Sequence, residues 1–296
     1  MNRTRLTITS IAVIAIGVVA WRFGLAERRG SESTGSIVLA EAAVVTEVAT
    51  VRYTMALGNY VDDAGLVNYA GLKANPTDLN AYLTSVANFS PDAFEELNES
   101  DRIAFWCNAY NAYTLKAIID HFPIKSSFFR SLTHPKNSIR QIAGVWDKLR
   151  WPVMGERITL DTIEHETLRV HFDEPRIHAA LVCAAMSCPP LRNEPYDGDR
   201  LDEQLNEQMA NYLSDPDRFR IDRENNVVYL SSILEWYGED FVKSYGVDAG
   251  FGGLGPVERA VLNALTSHVS DDDAEYLRTS EYGVRYLDYD WSLNEQ

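Results

Sequence analysis

Residues 100–121, SDRIAFWCNAYNAYTLKAIIDH, decide the fold. Trp106, Tyr110, Tyr113 and Ala117 recur at helical spacing along one stripe, and Ala104, Asn108, Asn111, Leu115 and Ile118 along another. Both stripes are largely apolar, so the spacing predicts a helix in the centre of the molecule rather than on its surface. Pro123 marks its end, because a proline disfavours helical backbone in the residue before it. Towards the N-terminus, Asn75-Pro76 opens a second helix through Leu79, Tyr82 and Leu83, and Pro91-Asp92 opens a short third. Val44 to Val61 carries apolar residues at helical spacing and ends in the turn residues Asp62-Asp63-Ala64-Gly65.

Towards the C-terminus, residues 126–155 lack a period and read as loops and short strands containing Trp146 and Trp151. Thr159 can cap a helix running to Val170, with Ile158 and Ile163 placed as a hydrophobic staple. Ile177 to Cys183 (IHAALVC) is short and apolar and reads as a buried strand, broken by Met186 to Pro190. Asn226 to Leu230 is a further strand, followed by a Ser-capped helix through Trp236, Tyr237 and Phe241. A helix over Pro256 to His268 and an extended, Tyr-rich segment, Tyr282 to Trp291, complete the chain, with Asp271-Asp272-Asp273 as a solvated loop. No repeat is visible. The expected architecture is α+β: a helix-rich single domain, residues 43–296, around a small central β-sheet.

With 46% hydrophobic residues the 296-residue chain can bury a sizeable core. Its net charge of −16 argues against nucleic acid, whose phosphates require clustered Lys and Arg, and equally against an anionic membrane surface. Setting Arg3, Arg5, Arg22, Arg28 and Arg29 against Glu27, the first thirty residues carry +4, so the remainder carries −20. Arg3 and Arg5 precede an apolar run from Leu6 to Trp21, the pattern of an export signal, with Gly24 and Ala26 placed for cleavage after Ala26. Residues 1–28 therefore read as a signal peptide or an N-terminal membrane anchor engaging membrane or export machinery, and residues 29–42 as a linker, with RGSESTGS at 29–36. The expected location is periplasmic or secreted, with anchoring to the inner membrane as the variant if the segment is retained. Three cysteines, Cys107, Cys183 and Cys188, exclude a disulfide-built scaffold and leave at least one thiol free. Cys183 and Cys188 can pair only if the chain turns between them.

Several spaced segments resemble one family. Phe105 to Asn111 is similar to an F-W-x-N-x-Y-N segment, Thr159 to His165 to S/T-L-x-x-I-E-H, and Pro175 to Cys183 followed by Ser187-Cys188-Pro189 to a third; Tyr289 to Asn294 is the last. Together they resemble the domain-of-unknown-function family 547 over roughly Ala43 to Asn294. The resemblance implies a secreted or envelope protein and carries no activity. Cys107 departs from the aliphatic residue more frequent at that position, which counts against it as a nucleophile.

The residues themselves offer a thiol chemistry. Cys183 ends an apolar segment where the chain turns, and the irregular backbone after it leaves amides free for an oxyanion. A thiol attacks only when ionised, so a base is required; His165 and His178 are the candidates, with Glu164 or Asn108 to orient the ring. On an unbroken strand His178 and Cys183, five apart, point to opposite faces. Inert burial of Cys183 and pairing with Cys188 stand beside this reading. Asn108 and Asn111, three apart on one helix face, read chiefly as structural amides. A zinc-protease pattern is not met, because His165-Glu166 is followed by Arg169 where a second histidine is required, which leaves a site assembled from Cys183, His178 and Glu164 as the minor metal alternative. No cofactor is expected. The functional expectation is a thiol-dependent hydrolase or transferase acting on a small-molecule or peptide ligand; the alternatives are a non-catalytic binding or scaffolding module and a thiol-redox protein using Cys183 and Cys188.

Overall fold

The structure is a computed structural model that describes residues 50–296. Residues 1–28, expected as a signal or anchor, residues 29–42, expected as a linker, and the first residues of the helix expected from Val44 lie outside the described residues. Residues 50–60 form α1, followed by α2 (Tyr69–Ala74), α3 (Thr77–Asn88) and α4 (Pro91–Glu95). Then comes α5 (Glu99–His121), the helix that the opening stretch predicts. Asn98 caps it by accepting from the Asp101 amide at 2.9 Å, and Pro123 stands two residues beyond its end. Its residues are buried on every side from Ile103 to Ile119, apart from Phe105 and Lys116 among the longer side chains. It packs against α2, α3 and α8 (Leu201–Leu213), so most of its stability comes from the surrounding core.

The strands form two small sheets. β1 (Trp151–Val153) and β2 (Glu156–Ile158) make an antiparallel hairpin whose turn, Met154-Gly155, has both φ angles positive at 49° and 82°. The same turn donates to the Val86 and Ala87 carbonyls, fastening the hairpin to the end of α3. The second sheet pairs β3 (Phe219–Asp222) antiparallel with β4 (Val227–Ser231), and β4 parallel with β5 (Gly283–Leu287). The α+β expectation holds, with the strands divided between two sheets rather than gathered in one.

Two apolar clusters result. One surrounds α5; the other lies under β3, β4 and β5 and includes α11 (Pro256–Leu265). After β5 the chain crosses back over the first cluster. The Met186 amide donates to Ser292, the Ser187 amide to Asp290, and Leu293 bridges Ala185, while Asn294 accepts from the Tyr69 hydroxyl at 2.7 Å. This strap carries Tyr289 and Trp291 onto the turn between Cys183 and Cys188.

Two expectations are corrected. Residues 177–183 are not a strand: α7 (Ile177–Ala180) is a single helical turn, and Leu181 to Cys183 leave it extended. A short apolar run buried on all sides has no period to separate the two states. The triplet Asp271 to Asp273 is the first turn of α12 (Asp271–Thr279), capped by Ser270, where negative charge favours a helix N-terminus.

Candidate functional site

The helix from residue 160 to residue 171 starts as its sequence suggests, the Thr162 amide donating to the Thr159 hydroxyl at 3.0 Å. Its middle, Thr162–Leu168, is a π-helix in which the Arg169 amide reaches back to the Glu164 carbonyl. Such widened turns recur at functional sites, and here Asp161, Glu164 and His165 all face one cleft. That cleft, about 560 Å³, is also lined by His178, Cys183, Cys188 and the aromatic rings of Tyr110, Trp146, Trp236, Tyr237, Tyr289 and Trp291. Its volume suits a small molecule or a peptide side chain.

Four of the five sequence candidates therefore meet. The fifth, Asn108, does not: its amide group donates to the Tyr196 carbonyl and accepts from the Tyr196 amide, both at 2.8 Å, away from the cleft. Asn111 does the same for the segment before Cys183, bonding the Ala180 carbonyl and the Val182 amide at 2.9 Å each. These two side chains replace backbone partners that the irregular segments lack.

His178 is buried, and its Nε2 donates to Asp240 at 2.7 Å. Asp240 also accepts the fork of Arg169, at 2.6 and 2.8 Å. Burial alone would raise the Asp240 carboxyl, but the hydrogen bonds from Arg169 and His178 outweigh it and hold the carboxyl well below the usual range. Tyr237 stacks on His178 at 4.0 Å with the rings 16° from parallel, while Arg169 lies over the same Tyr237 ring. Arg169 also donates to His165 Nδ1 at 3.1 Å, so neutral His165 carries its proton on Nε2, facing Asp161 at 3.9 Å. The carboxylate that orients His178 is thus Asp240, not Glu164 or Asn108. Glu164 instead stands by the phenols of Tyr110 and Tyr237, which burial first, and the charge of Glu164 second, push upward and keep protonated.

Cys183 is bonded to Cys188 in a disulfide. The chain turns between them through Ala184, whose φ of 59° lies in the left-handed region. Cys183 is half-buried and Cys188 buried. The Cys183 amide points at Cys188 Sγ at 3.0 Å, and the Tyr289 hydroxyl lies 3.2 Å from Cys183 Sγ and 3.1 Å from Cys188 Sγ. Because disulfide sulfurs carry no proton, the hydroxyl is the donor to both. Burial pushes the Tyr289 phenol well up, so that proton stays in place. A free Cys183 nucleophile therefore exists only after reduction, and no described histidine hydrogen-bonds its sulfur. Cys107 is fully buried in α5, where burial raises its thiol far above the ordinary range.

Sequence reasoning missed Asp240, Tyr237 and Tyr289 as members of the site. Asp240 stands 62 residues from His178 with no local pattern to mark it. Tyr289 lay within a recognised segment, and its aromatic neighbours were the available signal. Among the described residues no group of three metal-ligating side chains gathers, and no helix is long and apolar enough to cross a membrane.

Residues 94–213 match the family model described as Protein of unknown function, DUF547. No curated protein and no solved structure matches the chain. The match takes in Glu164, His165, His178 and both bonded cysteines, whereas Tyr237, Tyr289 and Trp291 complete the cleft from beyond it and Asp240 backs His178.

Proposed function

Since residues 94–213 match the DUF547 family model, whose description assigns no activity, we propose that the chain is an exported thiol–disulfide exchange protein working through Cys183 and Cys188. One observation carries the reading: the disulfide lies in the wall of an open cleft with hydrogen-bond donors already aimed at its sulfurs. A structural staple needs neither. The pairing also accords with the export expected from residues 1–28, because disulfides persist in oxidising compartments.

In the proposed reaction a substrate thiol gives its proton to His178, whose Nδ1 has no described partner, and the thiolate attacks Cys183 Sγ, the more accessible sulfur. The S–S bond breaks with its electron pair on Cys188 Sγ. There the Cys183 amide and the Tyr289 hydroxyl stabilise the developing thiolate. A second substrate thiolate attacks the substrate sulfur of the mixed disulfide and expels Cys183. Two substrate thiols become one disulfide, and the protein disulfide becomes two thiols, which keep the two protons released. The expected hydrolase or transferase would use the same sulfur, but only in reduced protein.

Cys188→Ser tests this by removing the resolving sulfur. Native C188S incubated with oxidised glutathione should gain one glutathione at Cys183, read by mass spectrometry, while Cys107 stays unmodified. A variant that remains folded and gains none would leave the cleft as a binding surface with an inert disulfide.

A further inference from the structure

The connection between α5 and β1 presents a surface unlike the rest of this acidic chain. Residues 121–146 contain Lys125, Arg130, Lys136 and Arg140 and no Asp or Glu, within a net charge of −16. Phe128, Phe129 and Leu132 stand 76, 80 and 71 % exposed at its tip, the two phenyl rings in edge contact at 5.6 Å. Leaving side chains of this size in water forgoes the stabilisation their burial would give. Neighbouring exposed side chains of this kind mark an interaction surface.

Their exposure is built in. The buried side chain of Gln141 accepts from the Ser127 amide and donates to the Pro135 carbonyl, both at 2.9 Å, clamping the two feet of the loop together. Arg130 turns inward and donates to the Arg140 and Gln141 carbonyls at 3.2 Å. The apolar tip therefore points outward from a pinned base. Lys125 and Lys136 flank it, exposed and without a carboxylate partner among the described residues.

We propose that this loop docks the protein on an anionic lipid bilayer. Phe128, Phe129 and Leu132 enter the interface, and Lys125 and Lys136 meet the phosphate headgroups. The whole-chain charge points the other way, but at physiological salt a membrane senses charges only within about 8 Å, and every charge in the loop's own sequence is basic, the carboxylate of Glu295 being held at its base by Asn137 at 2.9 Å. A second copy is a poor occupant, because a symmetric contact would bring the two lysine pairs together. Docking has a consequence for the cleft: Arg140 lies 4.6 Å from the ring of Trp291, and His134 packs edge-on against it, so the loop and the cleft wall are continuous. The cleft is then presented beside the bilayer, to substrates held at its surface.

Covalent footprinting of the full chain with mass spectrometry tests the loop directly, whatever residues 1–28 do. With phosphatidylcholine–phosphatidylglycerol vesicles, labelling of Phe128, Phe129 and Leu132 should fall several-fold, while Val170, 65 % exposed, is labelled as before. In the variant K125E/K136E the protection should disappear with Val170 labelling unchanged. Unaltered labelling on anionic vesicles, equal protection on pure phosphatidylcholine, or concentration-dependent protection without lipid would each overturn the proposal, the last in favour of self-association.

Discussion

At Asp240 three nitrogens converge on one carboxylate, Nε and Nη2 of Arg169 and Nε2 of His178. The carboxyl is held below its ordinary range, so folding favours its charged form. The stability it contributes is full above the unfolded value of about 3.9 and is lost as pH falls through that value towards the lowered one. Asp240→Asn should accordingly melt below wild type at neutral pH, with the gap closing as the pH is lowered past about 4. A gap that stays constant across melting curves at graded pH would contradict this account of the cluster. His178 and Glu164 were visible in the sequence as polar residues in apolar segments. Their partners were not, since a hydrogen bond across 62 residues leaves no trace in local spacing.

Among the elements, α5 lines the cleft with Tyr110 and supports it from behind with one of its two buried asparagines. Asn111 fixes the extended Leu181–Cys183 segment, whereas Asn108 fixes Tyr196 on the far side. Each substitution to Ala strands two buried backbone groups and should cost about 2–5 kcal/mol in denaturant titrations. Only Asn111→Ala should also change how fast the Cys183–Cys188 bond exchanges with added thiol. Equal exchange rates in both variants would remove α5 from the support of the cleft. This helix was legible because 22 residues of apolar periodicity admit one reading. The seven residues of IHAALVC admitted two, and the strand chosen there gave way to a helical turn followed by extended chain, which also voided the opposite-faces argument for His178 and Cys183. The π-helix was not legible, because its extra residue per turn does not disturb the capping pattern that announced the helix.

On the scale of the molecule, two apolar clusters carry the fold, and the disulfide spans only five positions within it. Closing so short a loop removes little freedom from the unfolded chain, about 2 kcal/mol. The double variant C183S/C188S should therefore fold and melt only modestly lower, by roughly 4–8 °C; failure to fold would make the bond a structural staple after all. The α+β architecture followed from the order of periodic segments, but the cleft required the C-terminal strap to return over residues 183–188, a long-range pairing that no window of sequence contains. The central claim is that this bond reacts in the native state. The most direct measurement is the rate at which excess thiol opens it, followed by alkylation and intact mass, across urea concentrations below the unfolding transition. The account predicts prompt modification of Cys183 and Cys188 at a rate indifferent to urea, with buried Cys107 untouched. A rate that rises with urea in step with global unfolding, all three cysteines reacting together, would contradict it.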